Sequence, residues 1–155
     1  MTDKREIILS KLLEVLQTVD GIKSVKRNLD QMPEGARPSI VLLDGDEGLP
    51  QTQSEMRSGK SPIIMHMQPV INVLVGDNDK DIGATINAIR AGIITKILTD
   101  TDLATVVDAD VDRPIRKNGR ISYTGMMTRF SHSFEMDCDM QVNFLIVYSL
   151  DPSAP

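Results

Sequence analysis

The sequence predicts an α/β (α+β) domain, because two helical hydrophobic patterns are separated by segments that alternate as strands do. Its 155 residues correspond to one domain of ordinary size. A chain of this length buries about 70% of the surface that its unfolded form exposes, so it needs no metal or disulfide to build a core. We expect residues 1–150 to form this domain and residues 151–155 to form a flexible C-terminal tail.

The N-terminal third predicts one helix and two strands. Asp3 and Glu6 have the spacing of a capping box, and apolar residues then recur at helical intervals. The alternating, lysine-containing residues 22–27 are typical of an edge strand. The uninterrupted apolar residues 40–43 are typical of a strand that is buried on both faces.

Two loops and a strand follow. Proline and glycine place residues 32–38 in a loop, and the polar residues 45–61 predict a second loop, long enough to suggest a functional or mobile segment. Residues 63–75 alternate as a strand. Because Pro69 cannot donate to a β-ladder, this strand either lies at the edge of the sheet at that point or carries a bulge.

The second helix has the clearest pattern in the chain. Five isoleucines, beginning at Ile82 and spaced by four, three, four and four residues, form one apolar stripe. A short third helix follows, capped by Thr101 or Asp100. Residues 108–120 then form a charged connection, in which Asn118-Gly119 is typical of a tight hairpin turn.

The C-terminal segment has the strongest strand pattern. Apolar side chains occupy every second position from Phe134 to Tyr148. About fifteen residues would span about 50 Å in a straight strand, which is longer than the usual strand of roughly 3–10 residues. We therefore expect this strand to bend, to carry a bulge or to reach beyond its own domain, with residues 121–127 as its antiparallel partner.

The composition argues against several classes of function. Aromatic residues make up 3% of the chain, too few for a base-stacking platform, and the net charge of −5 disfavours a surface that binds nucleic acid. One cysteine allows no internal disulfide, and two histidines are too few for a histidine-based metal site. The sequence contains neither a signal-peptide pattern nor an apolar run of about 20 residues, so we expect a cytoplasmic protein without a membrane span.

The motifs that could bind metal or phosphate are weak. Aspartate-rich segments begin at Asp44, Asp77 and Asp108, but none has the glycine at position six that an EF-hand requires, so turn and cap chemistry explains them better. Residues 76–83 connect a strand to a helix without a phosphate-binding glycine motif, and their aspartates disfavour an anion. We expect no metal and no cofactor.

A nucleophilic centre could be assembled from His66, Ser133, Asp137 and Cys138 only if folding brought them within hydrogen-bond reach. Cys138 shares the apolar phase of its strand, which predicts a buried structural thiol. His66 lies in the polar phase of another strand, where a solvated imidazole is the commoner outcome. We therefore expect no catalytic residues.

An acidic stretch and a basic stretch adjoin in the connection before the C-terminal strands. Such a cluster is either a solvated turn or a charge-complementary contact, in which the acidic half of one subunit faces the basic half of the next. The residues of this candidate subunit or partner interface are Asp108, Asp110, Asp112, Arg113, Arg116, Lys117 and Arg120.

The order of these elements and several phrases resemble the tail-terminator (minor tail) proteins of long-tailed bacteriophages. The phrases are RPSIVLLDGD at residues 37–46, VLVG at residues 73–76, IGATINAIR at residues 82–90 and ISYTG at residues 121–125. The resemblance spans about residues 5–150 and includes the first helix and the closing strand. It rests on layout, since that family has no invariant catalytic motif.

The resemblance implies a mixed, mostly antiparallel sheet with two main helices packed on one face. It implies a structural protein rather than an enzyme, which assembles in the host cytoplasm as a hexameric ring at the end of the tail tube. In the virion, the ring would end tube polymerisation and present a surface for the head connector. The expected partners are therefore copies of itself, the tail tube protein and head connector or neck proteins, with DNA only as passing cargo.

Three other functions stay open at the level of sequence. A head–tail joining (neck) protein would share the size, the fold and the ring. A small α/β enzyme would use His66 or Asp44, and a monomeric binding module would need neither a ring nor a catalytic group.

Overall fold

Five strands form one mixed sheet, and three helices pack against it. The computed structural model describes residues 3–29, 36–49, 62–76, 81–108, 119–130, 138–152 and 155. In chain order the elements are α1 (Lys4–Leu16), β1 (Ser24–Arg27), β2 (Ser39–Gly48), β3 (Ile63–Val75), α2 (Ile82–Thr99), α3 (Thr101–Val107), β4 (Arg120–Phe130) and β5 (Cys138–Leu150). The predicted α+β fold class is confirmed.

The strands lie in the order β1-β2-β3-β5-β4. Only β1 and β2 are parallel, and the other three neighbouring pairs are antiparallel. The sheet is therefore mixed and mostly antiparallel, as expected. The prediction that residues 22–27 form an edge strand is confirmed by β1, which pairs with Ser39–Leu42 of β2 and with no other strand of the described chain.

One face of the sheet and all three helices share a single hydrophobic core. Alternate side chains of β3 and β5 point into it, and Phe144 and Tyr148 are its largest fully buried members. The other face, which we call the open face, carries the intervening side chains of the same strands. Among the described residues no helix packs on the open face. Cys138 is buried in the core, as its apolar phase predicts, and burial raises the pKa of its thiol.

The helices begin where the sequence places them. The carboxylate of Asp3 accepts the backbone N–H of Arg5, so the N-cap of α1 is confirmed. A capping box has a second hydrogen bond, in which the carboxylate of Glu6 would accept the backbone N–H of Asp3. This part of the prediction is wrong, because the carboxylate of Glu6 accepts from Arg27 and Ser10 instead. The isoleucine stripe of α2 is buried from Ile86 onward.

Asp100 rather than Thr101 is the N-cap of α3. Its carboxylate accepts the N–H of Leu103 at 2.7 Å. The helix ends at Asp108, whose backbone is left-handed with φ of 61°. The cap prediction is therefore resolved in favour of the carboxylate of Asp100 over the hydroxyl of Thr101.

The C-terminal strand is an interior strand. β5 pairs with β3 on one side and with β4 on the other along nearly its whole length. Residues 121–127, the predicted antiparallel partner, lie in β4, so that prediction is confirmed. The expectation that β5 reaches beyond its own domain is wrong for residues 138–150, because both of its edges are already occupied. Residues 134–137 lie outside the described residues.

The prediction of a loop over residues 45–61 is wrong at its start. β2 continues to Gly48 and pairs with β3 there, after a register shift between Leu43 and Asp46. Gly45 makes this β-bulge possible, since its φ is +70°. Residues 50–61 lie outside the described residues.

Pro69 lies in an interior strand, so the edge-strand alternative for residues 63–75 is wrong. The ladder between β3 and β5 is interrupted between Met67 and Val70, and the bulge of β2 lies against Gln68 and Pro69. The sheet therefore accommodates the missing N–H of Pro69 with a bulge in the neighbouring strand. A second bulge interrupts β4 between Tyr123 and Gly125.

Candidate assembly surface

Arg27 joins α1, β1 and β2 at one end of the sheet. Its Nη1 and Nη2 donate to the two carboxylate oxygens of Glu6 at 2.7 and 2.8 Å. Its Nε and Nη2 donate to the two carboxylate oxygens of Asp44 at 2.7 and 2.9 Å. We call these three side chains the Arg27 clasp. Two bidentate pairs on one guanidinium fix the relative positions of three elements more firmly than single ion pairs do.

The clasp changes the titration of its carboxylates. Hydrogen bonds from Arg27 lower the pKa of Glu6 and also lower the pKa of Asp44. Both groups therefore stay ionised to lower pH in the folded chain than in the unfolded chain. Their contribution to stability is present above their ordinary pKa values of about 4 and is lost as the pH falls through the lowered values.

We expect acid to destabilise the protein partly through this clasp. The urea midpoint of unfolding should fall between pH 5 and pH 3 more steeply in the parent protein than in an Arg27→Met variant, because the variant has no cation to lower the two carboxyl pKa values. Circular dichroism in urea at several pH values measures both slopes. Parallel slopes would show that the clasp does not link folding to protonation.

A second set of contacts secures the last residues of β2. Arg5 donates from Nη2 to the carbonyl of Gly45 at 2.8 Å, and its Nε lies 2.9 Å from Oε2 of Glu47. The hydroxyl of Tyr148, whose ring is buried, donates to Oε1 of Glu47 at 2.6 Å. Burial, together with this hydrogen bond, raises the pKa of Tyr148. These contacts explain why residues 45–48 stay in the sheet.

One edge of the sheet is acidic. Because β1 pairs only with Ser39–Leu42, residues 45–48 of β2 have no strand on their outer side in the described part of the chain. We call residues 45–48 the acidic edge. Asp46 is exposed and has no ion-pair partner among the described residues, and the space around the Cα of Gly48 is open.

The opposite edge of the sheet is basic. Within the described residues β4 pairs only with β5, although it has 11 residues. We call residues 120–123, which precede its bulge, the basic edge. Arg120 is exposed, with no ion-pair partner in the described chain. Tyr123 anchors the end of this segment, because its hydroxyl accepts from Nε of Arg90 at 3.2 Å and its ring packs against Phe144.

The structure locates two of the seven residues predicted to form an interface. Asp108 at the end of α3 pairs with Nζ of Lys4 at 2.7 Å, so this acidic group already has a partner within the chain. Arg120 begins β4. The other five lie outside the described residues: Asp110, Asp112, Arg113, Arg116 and Lys117.

The two ends of the connection that carries these five residues meet. A Cβ on Gly119 would lie 1.9 Å from the carbonyl oxygen of Val107, so the chain returns to the end of α3 before β4 begins. The intersubunit contact through this connection stays a prediction. Asn118-Gly119, predicted as a hairpin turn, is described only at Gly119.

The structure does not bring together His66 and Cys138, the two candidate nucleophilic residues that it describes. His66 is aligned with Val147 and Val75 with Cys138, so the two side chains are separated by about 30 Å along β5. They also lie on opposite faces of the sheet. Asp44, the other residue considered for an enzyme, is held by Arg27, whereas Ser133 and Asp137 lie outside the described residues.

Among the described residues, no group of three or more histidine, cysteine, aspartate or glutamate side chains could hold a metal ion. No helix in the described part of the chain is long and apolar enough to cross a membrane. No family model matches the sequence, and no curated protein matches it. A function proposed for this chain therefore rests on its own sequence and geometry.

Sequence reasoning missed most of the side chains that shape this surface. Arg5, Arg27, Glu47 and Tyr148 come from three strands and a helix, and their partners lie up to 101 residues away in the chain. The only local signal was the alternation of acidic residues from Asp44 onward. Because Gly45 lies between Asp44 and Asp46, this segment is typical of a turn and not of a strand.

Proposed function

We propose that this chain is a structural protein of a bacteriophage tail, which assembles as a ring on the end of the tail tube. The ring ends tube polymerisation and provides the surface to which the head connector attaches. Copies of the chain, the tail tube protein and head connector or neck proteins are its partners. DNA passes through the ring without being a ligand, and the assembled protein belongs to the virion.

One observation carries this proposal beyond the resemblance in sequence layout. β4 is an edge strand of 11 residues, and in the described part of the chain no strand pairs with its outer side. Natural monomeric proteins usually shorten, cover or interrupt such edges, because an open edge is a template for pairing with another chain. A long open edge is expected in a subunit that is built to assemble.

A second observation concerns the kind of assembly. The acidic edge and the basic edge lie at the two opposite edges of the sheet and have opposite charge. Two different surfaces of the chain are therefore complementary to each other. Contacts between different surfaces of identical subunits generate rings when the rotation closes. The hexameric number comes from the resemblance.

Deleting the gene from the phage tests the proposal against its nearest rival, a head–tail joining (neck) protein. We expect electron micrographs of the deletion mutant to show tails of indefinite length. Normal tails that fail to join heads would identify a neck protein instead. Normal, infectious particles would contradict both functions.

The basic part of the connection before β4 provides a separate test. Reversing Arg116 and Lys117 to glutamate is expected to raise the concentration for half-assembly about tenfold at low salt, equivalent to about 1.4 kcal/mol. Light scattering measures assembly with tail tubes present, and circular dichroism checks that the monomer is folded. Unchanged assembly would mean that these two residues belong to a solvated turn.

A further inference from the structure

The acidic edge and the basic edge are complementary in strand direction, length and charge. We propose that the basic edge of one copy pairs, antiparallel, with the acidic edge of the next copy, so that the sheet continues from subunit to subunit. This inference rests on the proposed ring and names the contact that builds it. Its occupant is a second copy of this chain, and three features of the described residues support that choice.

The first feature is strand direction. β2, β3, β5 and β4 alternate in direction, so β4 of one copy would run antiparallel to β2 of the next in a continuous sheet. Arg120 is aligned with Val147, Val147 with His66, and His66 with Gly48. Arg120 and Gly48 therefore lie in the same row, at the same end of the sheet. Continuing the sheet brings them together without a large shift along the strands.

The second feature is length. The neighbour's β1 occupies the outer side of β2 as far as Leu42, and Asn28 extends this contact to the backbone N–H of Asp44, so an incoming strand finds space only beyond Asp44. The basic edge has four residues before its bulge, and the acidic edge also has four. Gly125, with φ of +142°, bends β4 at the bulge. The incoming strand can therefore diverge from the neighbour's β2 where the neighbour's β1 ends, while it stays paired with β5 of its own copy.

The third feature is charge. Asp46 on one edge and Arg120 on the other are exposed and have no ion-pair partner among the described residues. Opposite charges on adjacent strands stabilise a ladder, and like charges destabilise it. With Arg120 in the row of Gly48, the unpartnered carboxylate of Asp46 lies diagonal to the unpartnered guanidinium of the next copy, a spacing that a long side chain can bridge.

The other ways of pairing these edges bring like charges together. A two-fold pairing of β4 with itself, centred on Gly125, would bring Arg120 of each copy within one residue of Arg129 of the other. Pairing β4 with the edge formed by β1 would place it beside Lys26. Complementary charge therefore selects the head-to-tail contact, which also is the type that closes into a ring.

Cross-linking in assembled tails tests this contact directly. Gly48→Cys and Ser122→Cys place thiols on the open face of the two edges, and a short bis-maleimide reagent tolerates a shift of two residues in register. Phage that carry both substitutions should yield a ladder of covalent multimers from purified tails, whereas each single substitution should yield only monomer. The native Cys138 is buried in all three proteins, so it serves as a common background.

The outcomes separate this inference from the proposed function. If the chain is present in the tails but the double variant gives no ladder, the edge contact is wrong and the tail function stands. Dimers from Ser122→Cys alone would mean that β4 meets β4, which also overturns the contact. If the chain is absent from the tails, the proposed function fails, and this inference fails with it.

A charge exchange tests the same contact without a reagent. Arg120→Glu and Asp46→Lys should each lower the yield of infectious particles at least tenfold, and the two together should restore it to within about twofold of the parent phage. Lys96→Glu makes the same change of charge on the exposed side of α2 and should have no effect. A double variant as defective as the single variants would overturn the pairing.

Discussion

Replacing Gly45 with alanine is expected to lower the free energy of unfolding by about 3 kcal/mol or more. The backbone of Gly45 has φ of +70°, a conformation that L-residues with a side chain rarely adopt. A Cβ at this position would also lie 1.9 Å from the carbonyl oxygen of Gln68. Because that oxygen belongs to the backbone of β3, the two strands must separate to relieve the overlap.

The same strand offers a matched control for this substitution. Gly48 has open space around its Cα and no positive φ, so Gly48→Ala should change the free energy of unfolding by no more than about 0.5 kcal/mol. Urea unfolding followed by circular dichroism measures both variants. If Gly45→Ala were as stable as Gly48→Ala, the bulge that keeps residues 45–48 in the sheet would be wrong.

Removing the guanidinium of Arg27 is expected to have the second-largest effect. An Arg27→Met variant leaves the carboxylates of Glu6 and Asp44 facing each other without a cation between them. The clasp is only partly shielded from solvent, so we expect a loss of about 2 kcal/mol rather than the larger cost of breaking a fully buried pair. Hydrogen exchange should also increase at residues 45–48, since Asp44 precedes the bulge.

Two further variants show whether the loss comes from the charges. Combining Arg27→Met with Glu6→Gln and Asp44→Asn removes all three charges and should recover part of the lost stability, because no unpaired carboxylate remains. Lys26→Met changes an exposed neighbour in the same strand and should be nearly neutral. If the triple variant were less stable than Arg27→Met alone, electrostatic repulsion would not be the cause.

The regular elements could be predicted because each depends on a local pattern. The isoleucine stripe of α2 and the alternation of β3 and β5 are visible in the sequence, since the same side chains that set the pattern fill the core. Asp3 and Asp100 cap their helices for an equally local reason, because each accepts an N–H within three residues.

The assembly surface could be predicted only in part, because it depends on contacts between distant segments. The glycine of Asp44-Gly45-Asp46 looks like a turn, yet tertiary contacts from Arg5 and Arg27 make it a bulge within a strand. Pro69 looks like a marker of an edge, yet the bulge in β2 lets an interior strand contain it. No single segment carries the information that decides between these outcomes.

The length of tubes polymerised from purified tail tube protein tests the proposed function most directly. We predict that adding this protein in increasing amounts shortens the tubes in electron micrographs and leaves a ring on one end of each tube. Arg120→Glu should shorten them much less, whereas Lys96→Glu should act as the parent protein does. Tube lengths that do not depend on the amount of added protein, with no density at their ends, would contradict the account.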